Sequence, residues 1–280
     1  KLLRLKDMDN LTKQSLVEKH IISPEFASSK DENCAILIND EENICIMINE
    51  EDHLRMQLFG EGIAIEELMN LAIEIDQKLE RLVDYAFSEK YGYLTACPTN
   101  VGTGLRVSVM VHLPGLAETG NLNKILHIVN NFGMSVRGVY GEGSQSMGNM
   151  YQISNNQTLG LTEQEIVKNM KLITDKIIEQ ERVARKYLGK NQIGLADKVY
   201  RAFGILENAR ILSSNECIDL LSDVKLGTDM GIISELDDTK IKKLFLYTKP
   251  ANLQKYYGKV MNSNERDLKR TDIIRKIVTE

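Results

Sequence analysis

Three short segments of the sequence place an arginine close to carboxylates, glycines or a cysteine, near the ends of predicted strands. They are residues 49–55, 97–106 and 137–144. Arginine stays protonated at physiological pH, and its planar guanidinium forms paired hydrogen bonds with phosphate oxygens. Glycine has no Cβ atom, so a backbone that contains it can approach an anion closely. Together these residue types predict a site for a phosphorylated ligand.

Phosphoryl transfer fits these segments, because in that reaction a protein mostly positions reactants and neutralises charge on the moving phosphate. The sequence contains neither a GxxxxGK[ST] phosphate loop nor the HRD and DFG elements of common kinases. A hydroxyl acceptor would need one base. A guanidinium acceptor, with a pKa of roughly 12.5 to 13.8, needs two carboxylates to align it and withdraw a proton. Glu51 and Glu142 are the candidate carboxylates, and a thiolate at Cys97 would add negative charge.

The elements that must position these residues are strands with alternating apolar side chains and amphipathic helices. The predicted strands cover residues 34–39, 44–49, 54–59, 93–96, 105–113, 135–140 and 150–155. The predicted helices in this part of the chain cover residues 7–22, 64–87, 121–132 and 162–188. The helices are too few for a wound parallel sheet. This order favours the α+β class, with an antiparallel β-sheet flanked by helices.

The sequence beyond a predicted linker at residues 189–192 is mostly helical by the spacing of its apolar residues. Predicted helices lie around residues 195–209, 217–221, 232–247 and 266–278, with Pro250 as a break. We therefore predict two domains, a catalytic domain of residues 1–189 and a small, mostly α-helical domain of residues 190–280.

Composition narrows the choice of partners and compartment. The chain has 280 residues, with 35 basic and 40 acidic side chains, so it lacks the overall positive charge of a nucleic-acid or anionic-membrane binder. Its four cysteines form no CxxC pair, which argues against a zinc site and a disulfide framework. No apolar run approaches the ~20 residues of a membrane span. We predict a cytoplasmic protein that binds neither nucleic acid nor membranes.

Residues 49–55 and 97–106 resemble the two signature segments of the ATP:guanido phosphotransferase family, or phosphagen kinases, which includes creatine and arginine kinases. The resemblance is closest to the bacterial branch that phosphorylates arginine side chains in proteins, the protein arginine kinases. It extends over nearly all of the chain and includes residues 141–144, 153–155 and the helical tail. It implies a phosphagen-kinase catalytic domain followed by a helical regulatory and dimerisation domain.

The resemblance also implies roles for matching residues. Glu51 resembles the catalytic base, Cys97 the reactive cysteine that contacts the acceptor guanidinium, and Glu142 the second carboxylate that grips the acceptor. The implied ATP-binding residues are Arg55, Arg106, Arg137, Ser154 and Asn155. The implied cofactors are ATP and Mg²⁺, with no metal ligand from protein side chains. Direct in-line transfer needs no phosphocysteine, and residues 97–106 contain no histidine base, so we predict that the thiolate orients the guanidinium.

Residues 265–270 resemble the RDxxRA motif of the protein arginine kinases, with Thr271 in place of the final alanine. The resemblance implies an allosteric phosphoarginine-binding site at Arg266, Asp267 and Arg270. It further implies protein substrates with exposed arginines, a homodimer, a zinc-binding activator protein, and an AAA+ unfoldase and protease that recognises the mark in bacterial quality control.

Two alternatives to a protein arginine kinase stay open. One is a metabolic kinase of free arginine or another small guanidine, for which the helical tail has no obvious use. The other is a non-catalytic fragment that binds phosphoarginine through the tail. The family's N-terminal segment, with SSRxR-type arginines for the nucleotide phosphates, does not precede Lys1 in this sequence.

Overall fold

The structure of the protein is a computed structural model, and it describes residues 1–139 and 146–279. The strands are β1 (Leu2–Arg4), β2 (Ala35–Ile38), β3 (Ile44–Ile48), β4 (Leu54–Leu58), β5 (Phe87–Ser88), β6 (Gly92–Tyr93), β7 (Ser108–His112), β8 (Met134–Gly138) and β9 (Met150–Asn155). The helices are α1 (Asn10–Glu18), α2 (Pro24–Ala27), α3 (Ile65–Glu80), α4 (Pro114–Glu118), α5 (Leu122–Asn131), α6 (Glu163–Leu188), α7 (Gln192–Asn208), α8 (Ser214–Asp229), α9 (Asp238–Tyr247), α10 (Pro250–Tyr257) and α11 (Ser263–Thr279). Short 3₁₀ helices cover Leu5–Asp7 and Pro98–Asn100.

The chain divides into two compact units. The first comprises Lys1–Val109, Val129–Ser135 and Ile153–Asp175, and the second comprises Met110–Ile128, Val136–Gln152 and Lys176–Glu280. Strands β7, β8 and β9 form a three-stranded sheet in the order β7-β9-β8, and the division passes through each of these strands.

The first unit contains a four-stranded antiparallel sheet in the order β1-β2-β3-β4. Successive side chains of a strand point to opposite faces, so Ile36 and Ile38 of β2 lie in the core while Leu37 is 45% exposed. Met47 pairs with Arg55 and Ile48 with Leu54 across β3 and β4. This register places the acidic segment of residues 49–53 in the tight connection between the two strands.

Two predicted helices of the first unit end earlier than their apolar spacing suggested. The helix predicted over residues 7–22 is broken at His20, whose φ of 61° is left-handed. A second short helix, α2, then begins behind Ser23, whose hydroxyl accepts the amide hydrogen of Phe26. Helix α3 ends at Glu80, and Leu82, which continues the apolar pattern, is 80% exposed.

The C-terminal part of the second unit consists of the helices α7 to α11 around one apolar core. That core includes Leu195, Val199, Phe203, Leu206, Leu221, Val224, Leu244, Leu253, Ile274 and Ile277. The N-termini of α7, α8 and α9 are capped by the side chains of Asn191, Ser213 and Asp237. The antiparallel sheet, its accompanying helices and this helical region confirm the predicted α+β class. Among the described residues, no helix is long and apolar enough to cross a membrane.

Candidate active site

The connection between β3 and β4 presents three consecutive acidic residues, Glu50, Glu51 and Asp52. The chain turns sharply here because Asn49 adopts a left-handed φ of 57° and its amide donates to the carbonyl of His53 at 3.0 Å. Asparagine tolerates this conformation better than other residues that carry a side chain. The three carboxylates therefore leave the turn in different directions and meet different surroundings.

The side chain of Glu50 is only 8% exposed, and its carboxylate is fully engaged. Its carboxylate accepts hydrogen bonds from the Ser23 hydroxyl at 2.7 Å, the Glu51 amide at 2.8 Å and the Arg55 guanidinium at 3.2 Å. Burial opposes ionisation, but these hydrogen bonds and the charge of Arg55 outweigh it and hold the pKa of Glu50 below its usual range. Glu50 thus fixes both the backbone of Glu51 and the side chain of Arg55.

Asp52 joins this turn to the cysteine segment. Its Oδ1 accepts a hydrogen bond from the Ala96 amide at 2.6 Å, across 44 positions of sequence. Glu51 lies between the two engaged acids; it is exposed, and among the described residues its carboxylate has no hydrogen-bond or ion-pair partner. The structure therefore joins the segments of Glu51 and Cys97 through one hydrogen bond, and it leaves the Glu51 carboxylate available to a ligand.

Cys97 stands at the start of the 3₁₀ helix Pro98–Asn100. Its carbonyl accepts hydrogen bonds from the Thr95 hydroxyl at 2.7 Å and the Asn100 amide at 3.0 Å, and its Sγ lies 3.0 Å from Oγ1 of Thr99. Cys97 is half-buried, whereas the chain's other cysteines, Cys34, Cys45 and Cys217, are buried. The thiol is thus held in place and open to a reagent from solvent.

Thr158, a buried residue that no sequence pattern indicated, fixes the backbone of residues 99–103 in the cysteine segment. Its hydroxyl lies 2.9 and 2.8 Å from the carbonyl oxygens of Thr99 and Val101, and its own carbonyl accepts the Thr103 amide at 3.1 Å. Gly102, with a left-handed φ of 112°, packs directly against this carbonyl. The sequence predicted that glycines in this segment let the backbone approach a ligand. In the structure, Gly102 instead allows the close contact between its own backbone and that of Thr158.

We expect Gly102→Ala to lower the free energy of unfolding by roughly 2 kcal/mol or more, because the new Cβ would lie 2.3 Å from the Thr158 carbonyl oxygen at an unfavourable φ. Gly104→Ala is the matched control, since Gly104 is also left-handed, at 63°, but no heavy atom lies within 4 Å of its added Cβ. We expect it to cost about 1 kcal/mol. Urea unfolding compares the two variants, and equal losses would refute the close contact.

Arg106 follows the segment just before β7 and is exposed, with no side-chain partner among the described residues. The buried Asn155 holds the backbone on both sides of it: Nδ2 donates to the Leu105 carbonyl at 3.1 Å, and Oδ1 accepts the Val107 amide at 2.7 Å. The Ser154 hydroxyl is also buried and lies 2.8 Å from Oγ of Ser108. Ser154 and Asn155, the two predicted nucleotide-binding residues of β9, are thus buried and bonded to the chain segment that carries Arg106.

The remaining predicted residues belong to the second unit. Arg137 lies in β8 and is exposed, with no side-chain partner among the residues that the structure describes. Glu142, the predicted second carboxylate, lies outside the described residues.

The three tail residues predicted to bind phosphoarginine lie on α11. Arg270 is 1% exposed and donates to the carbonyls of Thr248 at 2.8 Å and Leu212 at 2.5 Å, and to the carboxylate of Asp267 at 2.7 Å. Arg266 donates to the Met261 carbonyl at 2.9 Å. Asp267 and Arg270 are therefore brought together as an ion pair in which the arginine is buried and the aspartate half-buried, and the arginine ties α11 to two other chain segments.

Comparison with known families matches residues 1–184 to the ATP:guanido phosphotransferase C-terminal catalytic domain, and residues 192–280 to the protein-arginine kinase McsB C-terminal domain. Among curated proteins, the chain is 51% identical over 274 residues to a protein-arginine kinase of Halothermothrix orenii, covering 98% of this chain and 78% of that protein. It is 46% identical over 276 residues to a protein-arginine kinase of Bacillus subtilis, covering 98% and 76%.

Solved structures of related proteins share the fold. A duplicated taurocyamine kinase from Schistosoma mansoni, solved with bound transition-state analogue components, superposes with a TM-score of 0.59 and 25% identity, over 87% of this chain and 33% of that one. A lombricine kinase superposes with a TM-score of 0.53 and 29% identity, over 65% of this chain and 53% of that one.

Proposed function

Because the chain belongs to the ATP:guanido phosphotransferase family, we propose that it transfers the γ-phosphate of ATP to arginine side chains of proteins. The observation that carries the protein acceptor is the second match: residues 192–280 correspond to the C-terminal domain of a protein-arginine kinase. A kinase of this family uses ATP, and its acceptor is a guanidinium.

Glu51 is proposed as the base of the reaction. One guanidino nitrogen of the acceptor attacks the γ-phosphorus, the bond from phosphorus to the ADP oxygen breaks, and the proton lost by that nitrogen passes to Glu51. The exposed and unpaired carboxylate of Glu51 supports this role, since Glu50 and Asp52 on either side have their own partners. Glu142 is proposed as the second carboxylate that aligns the guanidinium.

Cys97 is proposed to support the acceptor guanidinium as a thiolate, without becoming phosphorylated. Its half-buried Sγ is held beside Thr99, and Asp52 links its segment to the turn of Glu51. A negative sulfur close to the acceptor guanidinium would stabilise the positive charge that this group carries until its proton passes to Glu51.

The phosphates of ATP are proposed to bind Arg55, Arg106 and Arg137. The exposed guanidinium groups of Arg106 and Arg137, unpaired among the described residues, suit phosphate oxygens. Ser154 and Asn155 would contribute to the same site from beneath, by holding the strand that carries Arg106. We propose that Mg²⁺ enters with ATP and neutralises charge on its phosphates. The described residues contain no cluster of three or more His, Cys, Asp or Glu placed for a metal.

Residues 1–189 are proposed as the catalytic domain, and residues 190–280 as a regulatory and dimerisation domain that binds phosphoarginine. There Arg266 would pair with the phosphate and Asp267 with the guanidinium, while the buried Arg270 holds Asp267 in position. From the family resemblance we also propose that the protein works in the cytoplasm. Its proposed partners there are a zinc-binding activator protein and an AAA+ unfoldase and protease.

A comparison of acceptors tests the proposed function. We expect the full-length protein, supplied with ATP and Mg²⁺, to form acid-labile phosphoarginine on an unfolded arginine-rich protein. We expect kcat/KM for that protein to exceed the value for free arginine or taurocyamine by at least about tenfold, which corresponds to about 1.4 kcal/mol. The same protein with every arginine replaced by lysine is the control acceptor. A preference for a free guanidine would identify a metabolic kinase, and phosphoarginine binding without any transfer would identify a binding module.

A further inference from the structure

We propose that Asp52 is a positioning residue, which sets the spacing between Glu51 and Cys97 by tethering one segment to the other. This inference rests on the proposed function, because it assigns both groups to one acceptor site. Asp52 directly follows Glu51, and its partner Ala96 directly precedes Cys97. One hydrogen bond of 2.6 Å therefore joins the neighbours of the two groups that are to face the same guanidinium.

The remaining support of the cysteine segment comes from other directions. Thr95 and Asn100 stabilise the local turn, and Thr158 fixes the carbonyls that follow it. Among the hydrogen bonds of the described residues, the one from Ala96 to Asp52 is the only link between residues 49–55 and residues 92–106. If this bond were lost, no other hydrogen bond among the described residues would link the segment of Cys97 to that of Glu51.

The chemistry of this bond suits a tether. An ionised carboxylate that accepts a backbone amide hydrogen forms a short, charge-assisted bond, and 2.6 Å lies at the short end of the usual range. On the opposite side of Glu51, Glu50 accepts the Glu51 amide and fixes the other half of the turn. The run of three acids thus divides into two that hold the turn and one that faces the ligand.

The test compares Asp52→Ala with Asp52→Asn. Asparagine keeps an oxygen acceptor for the Ala96 amide, whereas alanine removes it. We expect Asp52→Ala to lower kcat with a protein acceptor by about 100-fold, a loss that a displacement of about 1 Å at a reacting centre can cause. The KM for ATP should change much less than kcat, because Arg55 is held by Glu50 and the backbone on both sides of Arg106 is held by Asn155, not by Asp52. Asp52→Asn should retain kcat to within about threefold.

The second readout is independent of kinase activity: the rate at which iodoacetamide alkylates Cys97 in the folded protein, followed by mass spectrometry. Cys97 reports without interference because the other three cysteines are buried. We expect alkylation to be at least about threefold faster in Asp52→Ala, since the freed segment exposes the thiol, and unchanged in Asp52→Asn. Asp84→Ala is the control, an exposed aspartate of the same unit with no partner among the described residues.

The outcomes separate the tether from the proposed function. If Asp52→Ala matched the Asp84→Ala control in both kcat and alkylation rate, the tether would be refuted even in an active kinase. Equal losses in Asp52→Asn and Asp52→Ala would also refute it, because charge rather than the hydrogen bond would then matter. If the wild-type protein transferred no phosphate, faster alkylation in Asp52→Ala alone would still support the tether while the proposed function failed.

Discussion

Glu51→Gln is expected to lower kcat for phosphoarginine formation by about 10³-fold, with little change in stability. Glutamine has the shape of glutamate but cannot take the proton that the acceptor nitrogen must lose, and general-base catalysis contributes a factor of about 10² to 10⁴. Glu51 is exposed and has no partner among the described residues, so its substitution should change the free energy of unfolding by less than about 0.5 kcal/mol. Transfer of labelled γ-phosphate to a protein acceptor, together with urea unfolding, provides both values.

Glu50→Gln is the matched comparison, because it makes the same chemical change one residue earlier. Glu50 is buried and accepts three hydrogen bonds, one of them from Arg55, so we expect a loss of about 1–3 kcal/mol in stability. Its effect on kcat should be smaller than that of Glu51→Gln. Normal turnover in Glu51→Gln would remove Glu51 from the mechanism.

Arg270→Ala is expected to destabilise the C-terminal helices by about 3–5 kcal/mol. The guanidinium is buried and satisfies the carbonyls of Thr248 and Leu212, and its loss would leave the Asp267 carboxylate without its partner. Hydrogen exchange of the α11 amides measures this loss directly, because it follows opening of that helix in the intact protein.

Arg266→Ala separates stability from ligand binding on the same helix. Among the described residues, the Arg266 guanidinium makes one hydrogen bond, to the Met261 carbonyl, so its removal should cost about 1 kcal/mol. Calorimetry with a phosphoarginine peptide should then show binding lost in a folded protein. Unchanged hydrogen exchange in Arg270→Ala would contradict the structural role assigned to that residue.

The sheet of the first unit could be predicted because its pattern is local. Two short apolar runs, now seen as β2 and β3, flank an acidic turn and predict a hairpin, and the pairing of Ile36 with Met47 confirms it. The same reasoning fails at the end of α3. Leu82 continues the helical spacing, yet burial of that face ends before it, and spacing alone does not reveal where a neighbour stops.

The candidate site could be predicted only in part, because its support comes from distant positions. Three adjacent acids look alike in sequence, and only the partners of Glu50 and Asp52 distinguish them from Glu51. Those partners are a helix-capping serine and a backbone amide, which carry no sequence signal for this contact. The family resemblance identified the residue types, and the contacts show which of them have free hydrogen-bonding groups.

The clamp of Asn155 on the residues flanking Arg106 has a consequence for the order in which the protein becomes competent during synthesis. The hydrogen bonds that hold the backbone of Leu105 and Val107 come from Asn155, which is made about 50 residues later in the chain. A nascent chain that ends before Asn155 therefore has Arg106 but cannot hold it in place. The proposed nucleotide site would therefore gain this support for Arg106 only after residue 155 has been synthesised.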